Sequence, residues 1–200
     1  MAAPTVFNTV KAMRHAVAGW RHAGEKVALV PTMGALHEGH LEMVKQARGK
    51  AKRVIVSIFV NPTQFAPHED FTKYPRDFGH DQDMLASVAA DAIYFPDVQE
   101  IYPEGFATRV LLLGPAAAGL EDRFRPTHFE GVATICCKLF TQCQPDIALF
   151  GEKDYQQLQV VTQMARDLDL PLVIHPVATI READGLAMSS RNRYLSDRDR

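Results

Sequence analysis

The segment PTMGALHEGH, residues 31–40, has the clearest chemical signature in the chain because it combines two glycines with two histidines three residues apart. Gly34 and Gly39 let the backbone approach a ligand closely. A helix that begins in this segment would point unpaired amide groups at an anion, and His37 and His40 would add side-chain donors. Two histidines also occur as metal ligands, but no third ligand is spaced nearby. The pattern favours a phosphate-binding loop, although neither GxxxxGK[ST] nor GxGxxG is present.

Two amide side chains follow the longest β-rich run of the sequence, in FVNPTQF, residues 59–65. An amide donates and accepts hydrogen bonds, so Asn61 and Gln64 suit a small hydroxy acid, which carries a carboxylate and a hydroxyl. The alternative is that both are ordinary turn residues.

The segment FGEKDYQQ, residues 150–157, also joins a predicted strand to a predicted helix. Gly151 permits a tight turn, Lys153 is a mobile cation that suits a phosphate, and Asp154 is a helix cap. Gln157 lies one helical turn further along the same face. The alternative is a plain capped helix with exposed charges.

In MSSRNRYLS, residues 188–196, two hydroxyl side chains precede Arg191 and Arg193. Hydroxyls and guanidinium groups in one short loop form a compact set of donors for phosphate oxygens. A polar loop with solvated arginines is the alternative interpretation.

Two other charged segments give weaker signals. Residues 119–132 include Arg125 and His128, which would line a cleft if the loop folded inward, but a loop of this composition is typically solvated. Asp81 and its acidic neighbours lie near a predicted helix start, where capping is the default and a magnesium site is the alternative.

Apolar periodicity predicts strands and helices that alternate along the chain. Strands are predicted at 27–32, 53–60, 92–95, 109–113, 146–150 and 172–175. Helices are predicted at 5–23, 40–49, 80–90, 129–143 and 154–167. A hairpin with Asp184-Gly185 as its two-residue turn is predicted near the C-terminus. The order indicates an α/β fold, a Rossmann-like doubly wound parallel sheet that binds ligands at the carboxyl ends of its strands.

The composition excludes several classes of protein. A hydrophobic fraction of 46% and a charged fraction of 23% are typical of a globular domain, and a net charge of −2 does not favour general nucleic-acid binding. The three cysteines lack metal-site spacing, which predicts free thiols in a reducing compartment. Neither a secretory signal nor an apolar run of about 18 residues is present, so we expect a cytoplasmic protein without membrane partners.

Taken together, PTMGALHEGH, FVNPTQF, GEKDYQQ and MSSRNRYLS resemble, in the same order, the motifs of the pantothenate synthetase (pantoate–β-alanine ligase) family, within the HxGH nucleotidyltransferase-like superfamily. The resemblance covers nearly the whole chain. It implies a Rossmann-like domain, here residues 1–183, that binds ATP and pantoate. Residues 184–200 would hold the hairpin, a phosphate loop and the start of a small C-terminal lid domain. The family also implies a cytoplasmic homodimer.

The resemblance implies a reaction in two steps. The carboxylate of (R)-pantoate attacks the α-phosphorus of ATP, which gives pantoyl adenylate and pyrophosphate. The amine of β-alanine then attacks the adenylate, which gives pantothenate and AMP. Magnesium accompanies ATP as the cofactor.

Individual roles are also implied by the resemblance. The catalytic residues would be His37, His40 and Lys153, with His40 as the proton donor. Gln64 and Gln157 would bind pantoate, Gln64 would also lie near β-alanine, and Asp81 falls where some members place a magnesium-associated carboxylate. The implied ATP-binding residues are Met33, Gly34, Ala35, Leu36, His37, Glu38, Gly39, His40, Gly151, Glu152, Lys153, Asp154, Ile180, Met188, Ser189, Ser190 and Arg191.

Three other functions are open at this stage. Another HxGH nucleotidyltransferase would share the histidine loop but gives no reason for the pair of Gln64 and Gln157. A non-catalytic nucleotide-binding module would bind ATP without pantoate-dependent formation of pyrophosphate. A histidine-ligated metal hydrolase would bind zinc or manganese stoichiometrically.

Overall fold

The computed structural model describes residues 3–196 and 198–200; Asp197, in the segment assigned to the start of a lid domain, lies outside the described residues. Its strands are β1 Thr5–Phe7, β2 Val27–Thr32, β3 Arg53–Ile58, β4 Ala92–Tyr94, β5 Ile147–Gly151 and β6 Val173–Val177. Its helices are α1 Val10–His22, α2 Glu38–Arg48, α3 Phe78–Ser87, α4 Val98–Ile101, α5 His128–Cys143 and α6 Tyr155–Asp167.

All the strands pair in parallel, in the order β1-β4-β3-β2-β5-β6. Helices α1, α5 and α6 bury apolar side chains against one face of the sheet, and α2 and α3 cover the other. The central strands are apolar along their length because both faces are covered, and Val27 to Val30 are fully buried. The predicted doubly wound α/β fold is confirmed.

The strand order reverses direction between β2 and β5, which pair through Ala28 with Ile147 and Leu29 with Ala148. From β2 the chain adds β3 and β4 on one side, and from β5 it adds β6 on the other. The loops that leave the carboxyl ends of β2 and β5 therefore diverge, and a crevice opens between them. This crevice positions the candidate site.

The helix predicted from residue 5 is wrong at its beginning. Thr5–Phe7 forms an edge strand paired with Ala92–Tyr94, and α1 begins only at Val10, where the Thr9 hydroxyl accepts a hydrogen bond from the Ala12 amide at 3.2 Å. The β-branched and aromatic residues of this segment fit the sheet edge, and this pairing overrides the helical periodicity.

The strand predicted at 109–113 is also wrong. Val110 donates its amide to the Thr134 hydroxyl of α5 at 3.0 Å, and Val110 and Leu112 pack against the core. Leu111 is 73% exposed. A continuous apolar run predicted the strand, but this segment lies over α5 and has no place in the sheet order.

The predicted hairpin near the C-terminus is confirmed by an antiparallel bridge between Arg181 and Ala187. Its turn is one residue longer than predicted. The Gly185 amide donates to the Glu182 carbonyl at 2.9 Å, and the Glu182 amide donates to the Leu186 carbonyl at 2.8 Å. Gly185 has a φ of +92°, so the loop has three residues and ends in a left-handed glycine, a common hairpin geometry.

The three cysteines are free thiols, as predicted, and all belong to α5. Burial raises the pKa of the Cys136 thiol to about 12, so this group is a protonated core residue at neutral pH. Within residues 3–196 and 198–200, none of the helices is long and apolar enough to cross a membrane.

Candidate active site

The loops that follow β2, β3, β5 and β6 enclose one cleft at the carboxyl edge of the sheet, so the four sequence motifs meet there. The residues of the sequence prediction that line it are Met33, His37, Gly39, His40, Gln64, Gly151, Lys153, Asp154, Gln157, Ile180, Met188, Ser189, Ser190 and Arg191. Other residues of the predicted ATP-binding set are outside this lining: Gly34, Ala35 and Leu36 are buried, and Glu38 and Glu152 are exposed.

His37 and His40 begin helix α2 as a reciprocal capping pair. The His37 Nδ1 accepts a hydrogen bond from the Gly39 amide at 3.1 Å, and the His40 Nδ1 accepts one from the His37 amide at 3.3 Å. The ring centroids are 4.0 Å apart. A Cβ at Gly39 would lie 2.9 Å from the His37 ring, so the glycine provides the room in which this ring covers the helix start.

These contacts fix the tautomer of both rings. A neutral imidazole whose Nδ1 accepts a hydrogen bond carries its proton on Nε2. Burial, followed by the charge effects of His37 and Lys153, lowers the pKa of His40 to about 3. Burial also lowers the pKa of His37, with Lys153 as the next cause. At neutral pH, both rings are therefore uncharged Nε2–H donors.

This arrangement changes the predicted anion site in one respect. The amides of His37 and Gly39, expected to bind an anion directly, are occupied by imidazole Nδ1 atoms. The side chains of both histidines line the cleft, and their Nε2–H groups are side-chain donors that remain for a ligand.

The loop before α2 contains a left-handed turn at Gly34, with φ of +78°, and Ala35, with φ of +50°. Asp81 of α3 stabilises this turn because its carboxylate accepts the Ala35 amide at 2.9 Å and the Leu36 amide at 2.8 Å. A Cβ at Gly34 would lie 2.9 Å from the Asp81 carboxylate. The turn, the glycine and the carboxylate therefore form one packed unit.

Asp81 is 2% exposed, and it lies behind the histidine loop rather than in the lining of the cleft. Burial raises the pKa of its carboxyl, and the two backbone hydrogen bonds oppose that rise. The structure gives Asp81 a positioning role, which argues against the sequence-based prediction of a magnesium-associated carboxylate.

Gln64 is held at the cleft wall by both its backbone and its side chain. The His128 Nδ1–H donates to the Gln64 carbonyl at 2.9 Å, and the Arg125 Nη2 donates to the same oxygen at 3.2 Å. The Asn61 amide donates to Gln64 Oε1 at 3.1 Å, and Gln64 Nε2 points at the Met33 sulfur, 3.2 Å away. The side chain therefore presents its NH₂ group toward Met33, another residue of the cleft lining.

The two glutamines at the start of α6 have different surroundings. Gln157 lines the cleft. Gln156 is buried and donates to the Pro115 carbonyl at 2.9 Å and to the Asp122 carboxylate at 2.7 Å. The structure thus separates a candidate ligand-binding amide, Gln157, from an amide that attaches residues 115–122 to α6.

Lys153 is the cation of the β5 loop at the cleft. Its Nζ donates to the Asp154 carboxylate at 2.7 Å, and its side chain is 34% exposed. Lys153 also lowers the pKa of both histidines, which places its charge on their side of the cleft.

The loop at 188–194 forms another part of the cleft lining through Met188, Ser189, Ser190 and Arg191. The Ser190 hydroxyl donates to the Ala35 carbonyl at 2.8 Å, which attaches this loop directly to the histidine loop. The Ser189 hydroxyl accepts the Arg191 amide at 3.3 Å, and the Met188 amide donates to the Ile180 carbonyl at 3.0 Å. The Arg191 guanidinium pairs with Asp70 through two hydrogen bonds of 3.0 Å.

A family model described as pantoate-beta-alanine ligase matches residues 5–200. The chain belongs to the pantoate–β-alanine ligase family. Like the other members it is an enzyme of the ligase class, which confirms the resemblance read from the motifs.

Named members of the pantoate–β-alanine ligase family agree in sequence and in structure. The pantothenate synthetase of Mesorhizobium japonicum is 61% identical over 197 residues, which is 98% of this chain and 69% of that protein. The crystal structure of the Thermus thermophilus enzyme has a TM-score of 0.92 at 50% identity, over 97% of this chain and 68% of that one. The Francisella tularensis ligase, solved with β-γ ATP and β-alanine, has a TM-score of 0.92 at 37% identity, over 98% of this chain and 74% of that one.

The cleft lining of this pantoate–β-alanine ligase also includes polar residues outside the predicted set. Arg125, His128 and Tyr74 all line the cleft. Arg125 and His128 looked like a solvated loop because their partners, Gln64 and Glu69, are distant in sequence. Tyr74 is an aromatic residue within a polar segment, and that pattern could have indicated its position, because a large aromatic side chain is usually packed against other residues.

We expect Asp81→Asn to reduce the stability of this ligase by about 2 kcal/mol, because an amide has only one acceptor oxygen for the two buried amides. Asp83→Asn, an exposed change on the same helix, should alter stability by less than about 0.5 kcal/mol. Urea unfolding measures both changes. A stable Asp81→Asn variant that needs more magnesium for activity would instead assign the carboxylate to the metal.

Proposed function

We propose that this ligase joins (R)-pantoate to β-alanine with ATP, through a pantoyl adenylate. In the first step a pantoate carboxylate oxygen bonds to the α-phosphorus, the bond from that phosphorus to the bridging oxygen breaks, and pyrophosphate leaves with the electron pair. In the second step the neutral amine of β-alanine bonds to the acyl carbon, AMP leaves, and the amine loses a proton.

The ATP side of the cleft supports this proposal. The Nε2–H groups of His37 and His40 face the cleft with their geometry already fixed by the start of α2. Adenylyl transfer needs stabilisation of phosphate charge more than covalent chemistry by the protein. The two imidazoles supply neutral donors, and Lys153 and Arg191 supply positive charge. Because the pKa of His40 is about 3, the ring is neutral and donates a hydrogen bond. To act as a proton donor it would first have to take up a proton, which developing phosphate charge favours because it raises that pKa.

We assign the remaining nucleotide contacts to the two loops on either side of the histidines. They comprise Gly151–Asp154 after β5, Ile180, and Met188–Arg191. Ser190 supports this assignment because its hydrogen bond to the Ala35 carbonyl fixes the third loop against the first. A triphosphate would then contact donors from three loops at once.

We assign Gln64 and Gln157 to pantoate, and Gln64 also to β-alanine. The NH₂ group of Gln64 is oriented by Asn61, which occupies its oxygen. A neutral amide donor binds a carboxylate without the full charge neutralisation of a guanidinium group, so the nucleophile keeps more of its reactivity. The Francisella tularensis ligase, which holds β-alanine and a nucleotide together, supports one cleft for both.

Magnesium fits this site as an ion carried by the triphosphate. Among the described residues, no three acidic, histidine or cysteine side chains are arranged to hold a metal. Magnesium commonly keeps several waters and binds substrate phosphates with one or two carboxylates. Two carboxylates line the cleft, Asp154 beside Lys153 and Glu121 beside Arg125. Asp154 belongs to the β5 loop assigned to the nucleotide and would be the residue to hold the ion. Bound there, the ion would neutralise phosphate charge.

We also propose that the ligase works in the cytoplasm as a homodimer. The support for a dimer is a set of exposed apolar side chains between residues 111 and 124. Their exposed fractions are 73% for Leu111, 79% for Leu113, 61% for Leu120 and 77% for Phe124. Apolar exposure of this extent is typical of a protein interface.

The observation that carries the proposal is the meeting of the paired histidines, Gln64, Lys153 and Arg191 in one cleft. Its test is pantoate-dependent exchange of labelled pyrophosphate into ATP, with magnesium and without β-alanine. We expect exchange that requires pantoate. ATP binding without exchange would favour a nucleotide-binding module, and exchange that requires a phosphorylated acceptor would favour another HxGH nucleotidyltransferase.

A further inference from the structure

The segment between Gln64 and α3 has two adjacent carboxylates that none of the roles above uses, Glu69 and Asp70. Each contacts an arginine on a different wall of the cleft. Glu69 accepts hydrogen bonds from the Arg125 Nε at 2.5 Å and Nη2 at 3.0 Å. Asp70 accepts hydrogen bonds from the Arg191 Nε and Nη2, both at 3.0 Å. The segment is therefore attached to both walls.

The contact with Asp70 determines where the Arg191 guanidinium lies. One edge of the planar group is held by both carboxylate oxygens, and its Cζ lies 5.6 Å from the centroid of the Tyr74 ring, which is 6% exposed. The Nη1 group belongs to neither contact with Asp70. Arg191 lines the cleft, so the other edge of the guanidinium is available to an anion in the cleft.

The position of Asp70 is itself fixed by its neighbours. Glu69 accepts the Ala66 amide at 2.8 Å in addition to its contacts with Arg125. The Tyr194 hydroxyl donates to the Lys73 carbonyl at 3.2 Å. The Asp70 side chain is 22% exposed, and Arg191 holds the pKa of its carboxyl below the usual range. The Asp70–Arg191 contact is a bidentate ion pair in a segment held by other contacts. It therefore differs from mobile surface ion pairs, which contribute little to stability.

We infer that Asp70 is a positioning residue for the nucleotide, because it holds the Arg191 guanidinium at the cleft with one edge directed to the phosphates. The inference rests on the proposed function, in which Arg191 contacts those phosphates. An arginine fixed before binding loses less side-chain freedom when the ligand arrives. The contribution of Asp70 to ATP binding is therefore expressed through Arg191 alone.

The test is a double-mutant cycle on the affinity for ATP with magnesium, measured by titration calorimetry on the whole chain. We expect Asp70→Asn to weaken ATP binding by about tenfold, since misplacing one charged donor has a cost of this order. In a chain that already carries Arg191→Ala, Asp70→Asn should cause little further loss of ATP affinity. The same is expected with Arg191→Lys, which keeps the charge but cannot make both hydrogen bonds to Asp70. Melting temperatures show whether each variant is folded.

Glu25→Gln is the matched control. Glu25 also accepts two hydrogen bonds from an arginine, from the Arg53 Nε at 2.6 Å and Nη2 at 3.4 Å, outside the cleft lining. We expect the affinity of the Glu25→Gln variant for ATP to equal that of the unchanged chain.

The inference is overturned if Asp70→Asn weakens binding equally with and without the Arg191 side chain, or if it tightens binding. It is also overturned if the unchanged chain binds no ATP. If the substitutions at Asp70 and Arg191 are coupled in their effect on ATP affinity but pantoate-dependent exchange of pyrophosphate is absent, only the proposed reaction is contradicted. Exchange in the unchanged chain without coupling would contradict only the role of Asp70.

Discussion

His40→Asn is expected to reduce the rate of pantoate-dependent pyrophosphate exchange by about 10²- to 10³-fold, the usual effect of removing one aligned donor from a site of charge development. The asparagine oxygen occupies nearly the position of the imidazole Nδ1 and continues to accept the His37 amide. The substitution therefore keeps the helix cap and removes the Nε2–H donor. Exchange kinetics at saturating ATP and pantoate measure the effect.

His15→Gln is the control for this substitution, since His15 is exposed on α1, and it should exchange at the rate of the unchanged chain. A His40→Asn variant of normal rate would show that the ring serves only to begin α2.

The same substitution has a pH signature. The unfolded chain protonates His40 near pH 6.5, whereas burial holds its pKa in the folded chain at about 3. The unfolded state therefore takes up the extra proton as the pH falls below 6.5, and folding stability decreases. In urea unfolding between pH 7 and pH 5, His40→Asn should lose less stability than the unchanged chain. An equal loss in both would show that His40 titrates normally in the folded state.

Gly131→Ala is expected to destabilise the chain by about 3 kcal/mol, because an overpacked site must move rigid atoms. A Cβ at Gly131 would lie 2.4 Å from the Thr63 carbonyl oxygen and 2.7 Å from the Gln64 nitrogen, both backbone atoms. The shift would move Gln64 away from its contact with Asn61, so the KM for pantoate should also rise about tenfold or more. Urea unfolding and exchange kinetics measure the two effects.

Gly19→Ala is the matched control, because Gly19 is also helical and a Cβ there would meet no atom within 4 Å. Alanine favours helix, so this variant should gain roughly 0.5 to 1 kcal/mol. If the two alanine variants had equal stability, the close approach of α5 to the Gln64 turn would not limit the packing.

The parallel α/β class of the sheet and the location of the cleft were predictable because both follow from local patterns. Apolar runs such as Val27–Thr32 mark buried parallel strands, and motifs at their carboxyl ends converge by topology. Short or peripheral segments were less predictable. Thr5–Phe7 reads as part of a helix until its partner Ala92–Tyr94 is known, and 109–113 reads as a strand until α5 is seen beneath it.

The supports of the site were less predictable than the site itself. Asp81 contacts the histidine loop from 45 residues away, and Asp70 contacts Arg191 from 121 residues away. The residues adjacent to Asp81 and Asp70 in a single sequence do not indicate such long-range contacts. Helix capping or exposure to solvent is therefore the default interpretation for both carboxylates. The pairing of His37 with His40 is different, because its spacing is that of a capping box, which is a local pattern.

The paired histidines also limit how this enzyme could be redesigned. The atoms that begin α2 and the donors proposed for the nucleotide belong to the same two rings, so a substitution at His37 or His40 keeps the helix start only if the new side chain accepts a hydrogen bond in place of Nδ1. A change of nucleotide preference would more readily begin in the loop at 188–194. That loop reaches the histidine loop through the Ser190 hydroxyl, and its side chains can vary without disturbing the start of α2.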